Sequence, residues 1–464
     1  MPVALTRELG RFIAEARYQD IPKQAIAPIH TAFADTVCVM VAGAREPAPQ
    51  LLKAMLAPAG DEAVLVGGEG RAGALDAAWI NGTAAHVLDF DDIAERGGHI
   101  SGVLVAAILA EAEAIGATGE QMVLAYGVGY ETIAELVRRD ADQHHDKGWH
   151  PTPVFGAIGA AAACASLRDL DAEKSTMAIA LSASQSCGVM SNVGTMTKSF
   201  HTGRAAHAGV ASARLAASGF TAAFDGFEHA AGFLAAVSPA GKIDVHSPVI
   251  AGSQWQICGA NRLSVKKYPL CFFAHRAVDG MLDLLKANEV DPESGERVTV
   301  TIGRPNAAVL RYHAPQTGLE AKFSMEFAMA CALIARRLSL AEFTDGFVRR
   351  DDVQALMKRV VVMPDDREDP RRPGYAVYDQ VVIETRDGRR PDSGPITKLR
   401  GSPDVPLKRD ELWTKFESAL RVGNARIPSR RLFDALMSLD RLPYIRELVG
   451  LMVPAATARA SSPR

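Results

Sequence analysis

The chain has no CxxC pair. Its six cysteines, Cys38, Cys164, Cys187, Cys258, Cys271 and Cys331, are scattered. Most sit in apolar contexts such as Val37-Cys38-Val39. That pattern excludes a disulfide frame or a thiolate zinc site and predicts buried, reduced thiols. An excess of one charge sign is also missing. With 51 Lys and Arg against 54 Asp and Glu, the formal net charge is -3. No global field points to nucleic acid or to an anionic membrane surface. A small anionic substrate would instead need a local cluster of cations. The first residues lack a basic stretch leading into a long apolar one, so no secretory signal is expected. The uncharged run from Ser175 to Thr197 is long enough for a bilayer, but it is too rich in Ser, Thr, Asn and Gln to be a span. A cytoplasmic protein is expected. Gly127-Val128-Gly129 does not open a GxGxxG turn after a strand, which excludes a dinucleotide fingerprint. No internal repeat is present.

At 464 residues, two domains are expected. Apolar residues recur at helical spacing from Leu5 to Gly43, with Ile26, Ile29, Phe33 and Val37 on one stripe after Pro22. Asp35 falls inside that stripe and needs a cap or ion-pair partner. Helices are further expected over Asp76–Phe90, Val103–Ile115, Val154–Leu167 and Gly219–Ala236. The character then changes. Arg297 to Ile302 alternates with period two, and Lys358–Met363 and Tyr378–Thr385 are β-branched runs. Asp387-Gly388 supplies a hairpin-type turn after the last of these. Helical pattern over 324–334 and 350–357 lies between the strands, and it returns from Leu407 to Leu451. The expected fold is mainly α. A large all-α helical domain takes 1–264 and 401–464, and a smaller α+β domain takes 265–400. Residues 454–464, rich in Ala and Ser, are expected to fray.

Chemistry concentrates in four stretches. From Ser191 to His207, Lys198, His201, Arg204 and His207 stand between two segments of small apolar residues. Polar groups lodged between buried helices must be paired or functional. A lysine there is a candidate base, because desolvation and nearby positive charge both favour its neutral form. A solvated loop is the alternative. The second stretch is His86-Val-Leu-Asp89-Phe-Asp-Asp92, followed by His99. On a helix, His86, Asp89 and Asp92 would share a face. A general acid oriented by Asp and a charged helix end both remain open; without HxxxH or HxxE spacing, no metal is expected. The third is Gly148-Trp-His150-Pro-Thr-Pro, which delivers His150 just ahead of a helix whose first amides favour anions. His144 and His145 read as solvated loop residues. The fourth runs from Ser264 to His275 and carries Lys266 and Lys267. There Cys271 reads as a small packing group and His275 as a residue that caps or packs the helix it begins. Lys322 and Glu326, four apart, read as a helix ion pair.

These stretches, together with Thr197-Lys-Ser-Phe-His-Thr-Gly-Arg-Ala-Ala206, Lys267-Tyr-Pro-Leu-Cys271 and Glu320-Ala-Lys-Phe-Ser324, resemble the MmgE/PrpD family in order and content. That family includes 2-methylcitrate dehydratase, cis-aconitate decarboxylase and iminodisuccinate epimerase. The resemblance implies an all-α domain with a smaller α+β domain, a homodimer, and no metal or organic cofactor. It places active-site groups of the decarboxylase branch at Asp89, His99, His150, Lys198 and Lys266. Two positions depart from that branch: Ile93 stands where it has threonine, and Cys271 where it has histidine.

The shared chemistry implied is proton movement at a carbon next to a carboxylate. Such a carbon is a poor acid, so the site must bind carboxylates, stabilise enolate-like charge and supply a tuned base. Lys198 is the expected base, His150 the acid or second base, and Asp89 the group that orients His99. Lys266, Lys267, Arg204, His201, Cys271 and His275 are expected around the substrate. A dehydratase-type lyase acting on a small di- or tricarboxylate is the leading reading. An epimerase or isomerase of a dicarboxylate is the alternative, and a catalytically silent small-molecule-binding protein the third.

Overall fold

Alanine and glycine let helices approach closely, and the first half of the chain is built on that. Its helices are α1 (Leu5–Glu15), α2 (Lys23–Gly43), α3 (Pro47–Leu56), α4 (Ala74–His86), α5 (Ile100–Ile115), α6 (Gly119–Arg138), α7 (Pro151–Leu167), α8 (Ala172–Ala183) and α9 (Met196–Ala217). The computed structural model describes residues 2–453 except 69, 289, 293–294, 371 and 425; the expected fraying of 454–464 lies outside them. The chain divides into two units. One comprises residues 1–87, 91–265 and 409–464; the other comprises 88–90 and 266–408. The architecture is mainly α with a smaller α+β part.

Local chemistry sets the ends of the helices in the first unit. Thr118 and Gln121 form a capping box at α6. The Asp171 side chain accepts from Lys174 N at α8, and Thr195 accepts from Thr197 N at α9. Pro151 occupies the first position of α7, where its missing N–H costs nothing. α9 packs on α4, α7 and α8, and α7 also packs on α6. A Cβ on Gly209 would lie 2.3 Å from Ala160 Cβ, and one on Gly129 would lie 2.7 Å from Gly159 O. These contacts leave no room for a larger residue.

By length and composition α2 could cross a membrane, yet 78% of its apolar window is buried in the protein. Its acid, Asp35, is 0% exposed and pairs with Lys415 Nζ at 2.5 Å, from the helix Arg409–Asn424. Burial pushes the Asp35 carboxyl up, and Lys415 opposes that shift. The expected salt-bridge partner is therefore present.

Three expectations are corrected. The helix expected over Asp76–Phe90 stops at His86, and Asp89 adopts a left-handed φ of 50°. Gly219–Ala236 is not a continuous helix: the chain turns at Gly219 (φ 91°), and helix resumes only over Phe233–Val237. His144 is not solvated; it is buried, with its ring edge-on to Phe155 at 4.7 Å.

The second unit holds a three-stranded sheet. Its central strand, Gly295–Gly303, runs parallel to Val360–Asp365 and antiparallel to Gln380–Thr385. The turn at Asp387-Gly388 follows the last strand, with Gly388 at φ 84°. Helices His275–Ala287 and Met325–Ala335 pack on each other and on the sheet.

The Asp35–Lys415 pair yields a stability prediction. Replacing Lys415 with Met strands a buried carboxylate and should cost roughly 3–5 kcal/mol. The double change Asp35→Asn with Lys415→Met should recover most of that loss. Thermal unfolding of the three proteins checks this, and equal losses in the single and double variants would refute it.

Candidate functional site

The cluster starts from a helix end. His86 is the last residue of α4. The side chains of His86 and Asp91 are both 0% exposed, and His86 Nδ1 lies 2.9 Å from Asp91 Oδ1 and 3.0 Å from Oδ2. An ionised carboxylate only accepts, so Nδ1 carries the proton and Nε2 presents a lone pair. Lys198 Nζ donates to that Nε2 at 2.7 Å. The array is thus Asp91, His86, Lys198.

More imidazoles surround it. His99 is the N-cap of α5. Its Nδ1 donates to Asp92 O at 2.8 Å and lies 3.4 Å from Asp91 Oδ2. Its ring centre is 4.5 Å from that of His86. His150, the N-cap of α7, stacks on His86 at 6.1 Å. His150 Nδ1 lies 3.2 Å from Nδ1 of His201, one turn beyond Lys198 on α9. The backbone supports this arrangement. His99 N donates to Thr152 Oγ1 at 3.0 Å, which joins the starts of α5 and α7. His150 N donates to Gly188 O at 3.0 Å, and Gly188, at φ 118°, lies against the His201 ring.

Burial decides the protonation states. It pulls His86 down to about 3, with Lys198 and His99 adding to the shift and Asp91 opposing it. His150 lies well below the ordinary imidazole value because of burial first and Lys198 second. The same two causes bring His201 to about 4. For Asp91, burial raises the carboxyl, but the facing His86 and His99 outweigh it and hold it well below the carboxylate range. At neutral pH His86, His150 and His201 are therefore neutral imidazoles and Asp91 is an ionised carboxylate. His86, Asp91 and His99 bring three possible metal-ligand atoms within 4.8 Å of one another. Both Nδ1 atoms carry protons in these hydrogen bonds, and the arrangement reads as an acid–base array.

Close helix packing sets the Lys198–His86 distance. A Cβ on Gly82 would lie 2.8 Å from Gly203 Cα, and one on Gly203 would lie 2.1 Å from Trp79 O. α4 and α9 thus touch backbone to backbone, four residues before His86 and five after Lys198.

Lys198 and His201 are in the first turns of α9, so the stretch Ser191–His207 is only partly a loop. Arg204 faces another side of the helix, with Nη1 2.5 Å from His207 Nδ1 and its guanidinium over Trp79. Asp89, Lys266, Lys267, Cys271 and His275 belong to the second unit. There Lys266 is buried; its Nζ lies 3.0 Å from Asp89 Oδ2 and donates to Asp89 O at 2.9 Å. Within the first unit, Asp91 and the Asp92 carbonyl face the His99 ring. Lys322 donates to Leu88 O at 2.7 Å and Pro269 O at 3.0 Å, while Glu326 lies 2.8 Å from His313 Nδ1; the expected helix pair gives way to these. Cys271 is buried, and its N–H donates to Lys322 O. His275 is buried against Tyr268 and Phe272, with Nε2 3.2 Å from Leu270 O. Lys267 lines a cleft of about 1230 Å³ with Tyr268, Lys286 and Arg400. His86 and Asp91 were missed as site residues, although both lie in the motif that named Asp89.

The chain belongs to the MmgE/PrpD family: residues 7–246 match the MmgE/PrpD N-terminal domain and residues 268–432 the C-terminal domain. It is similar to cis-aconitate decarboxylase of Homo sapiens, 27% identical over 358 residues that cover 74% of this chain and 72% of that one. The mouse decarboxylase is 26% identical, with 74% and 71% covered. The cis-aconitate decarboxylase-like protein oryM of Aspergillus oryzae is 24% identical over 97% of each chain. Together these mark a lyase-type member of an enzyme family.

Two predictions follow from the cluster. In Gly203→Ala the new methyl meets the Trp79 carbonyl, which cannot swing aside. The variant should lose roughly 1–3 kcal/mol of stability and turn over more slowly, as unfolding and rate measurements would show; an unchanged Tm and rate would refute the packing role. The second concerns pH. An unfolded chain protonates His86 near 6.5, whereas the folded one resists until about 3. Stability carried by the neutral ring is therefore complete above 6.5 and is lost as pH falls toward 3, by roughly 2 kcal/mol at pH 5. Imidazole NMR should find His86 neutral at pH 5, and a midpoint near 6.5 would contradict this.

Proposed function

We propose that the protein is a cofactor-independent lyase of the dehydratase type that acts on a small di- or tricarboxylate, with Lys198 and His150 as its proton carriers. One observation carries this reading: the Lys198 amine lies beside neutral imidazoles where α5, α7 and α9 begin. Helix dipoles at three helix starts favour an anion. Lys198 removes the proton from the carbon next to a carboxylate. His150, rigidly placed by Pro151 and the Gly188 carbonyl, serves the leaving group. His99, whose Nδ1 proton is committed to the Asp92 carbonyl, offers Nε2 as an acceptor.

Relatives named cis-aconitate decarboxylase support lyase chemistry on a tricarboxylate. Ile93 and Cys271 stand where that branch has threonine and histidine, so decarboxylation of cis-aconitate itself is not the activity we infer. A buried side-chain thiol does not replace an imidazole in proton transfer.

The test is incubation in D2O with cis-aconitate, 2-methylcitrate and iminodisuccinate in turn. A lyase forms or consumes a C=C absorbing in the ultraviolet. An epimerase takes up deuterium with the skeleton retained and no unsaturation, and that outcome would replace the lyase reading. Lys198→Ala and His150→Ala should each slow turnover at least ~100-fold; unchanged rates would remove both assignments.

A further inference from the structure

We infer that His86, oriented by Asp91, is the residue that positions Lys198, which makes Asp91–His86–Lys198 one functional array. The inference rests on the role proposed for Lys198 and adds two residues to it.

A primary amine on a four-carbon stem has many rotamers and no intrinsic direction. Lys198 Nζ has an acceptor at 2.7 Å in His86 Nε2. That acceptor exists only in the Nδ1–H tautomer, because the other tautomer would point an N–H at the lysine. Asp91 selects the tautomer: its two oxygens lie 2.9 and 3.0 Å from His86 Nδ1, and both side chains are fully buried. His86 in turn is fixed by the end of α4, and Lys198 by the Gly82–Gly203 approach five residues away. As an ammonium or as a neutral amine, Lys198 can give one N–H to Nε2, and the rest of the nitrogen then faces a set direction. Among the described residues of the first unit, the charged and titratable groups facing His86 include Asp91, Lys198, His99 and His150.

The tautomer can be read without any substrate. In the full-length protein labelled with 15N-histidine, assigned with the help of His86→Gln, the His86 Nε2 signal should be that of an unprotonated nitrogen. A protonated Nε2 in the wild type overturns the proposal. Asp91→Leu, and the gentler Asp91→Asn, should populate Nε2–H. Two variants at the acceptor supply the functional arm. His86→Leu removes the lone pair and should slow deuterium exchange into the substrate found among the three carboxylates at least ~100-fold, mainly in kcat. His86→Gln keeps an acceptor oxygen and should recover part of that loss. Folded His86→Leu and His86→Gln proteins with wild-type exchange overturn the positioning role, provided Lys198→Ala abolishes exchange. If Lys198→Ala exchanges like the wild type, the role of Lys198 itself fails, and this proposal fails with it.

Discussion

Glycine against glycine is the contact on which the site depends. Gly82 on α4 and Gly203 on α9 bring two backbones together at a point where any side chain would meet a main-chain atom. From that point the geometry propagates by helix pitch alone, which carries His86 and Lys198 past the contact toward each other. Trp79, one turn earlier on α4, meets Phe200 and His207 of α9 at 5.5 and 4.9 Å and limits rotation. A side-chain hydrogen bond of 2.7 Å between a flexible lysine and a buried imidazole is thus set by rigid elements rather than by the lysine. Sites built on packed helices are more exact than sites on loops for this reason.

Electrostatics makes the second demand. Burying several imidazoles, a carboxylate and an amine together is unfavourable unless the charges are few and paired. The cluster meets this by keeping His86, His150 and His201 neutral and the Asp91 carboxylate engaged by imidazole N–H groups. Asp92, the neighbouring acid, is handled differently. It accepts from Ser101 Oγ at 2.8 Å, and burial together with Asp35 pushes its carboxyl well above the usual range. Two adjacent aspartates therefore take opposite states, Asp91 charged among histidines and Asp92 held toward the neutral acid. Paired burial of this kind is also seen at Asp35 with Lys415, where a structural rather than chemical role is evident.

How far the site was legible depends on backbone geometry at one residue. Lys198 and His150 were visible because cationic or imidazole side chains between small-residue helices have few structural uses. The strands were visible because β-branched alternation has one reading. That Asp91 faces the histidines was not visible. Helical spacing groups His86 with Asp89 and Asp92, but the helix ends at His86 and Asp89 takes a left-handed φ. Aspartate tolerates that conformation better than most residues, yet nothing in local composition demands it there. The turn brings Asp91 to the imidazoles, while Asp89 joins Lys266 in the other unit. His144 was misread for a similar reason: a polar loop sequence conceals a ring packed on Phe155.

The same burial that keeps the histidines neutral determines what an arriving anion would do. On the proposed reading, a carboxylate at the start of α7 places negative charge beside His150 and His201. An adjacent opposite charge favours the protonated imidazole, and in a site closed to water that effect is large. Substrate would then raise the proton affinity of rings that are weak bases when the site is empty. Lys198, already hydrogen-bonded to His86, gains attraction to the same carboxylate, so removing its proton becomes harder unless another acceptor takes the charge. His86 beside ionised Asp91 is the ring best placed to do so. An imidazolium there would be paired at once with a carboxylate, whereas one at His150 has no acid among its described contacts. On the proposed reading, the asymmetry between the two rings gives each a separate part, with His86 facing the lysine and His150 the substrate.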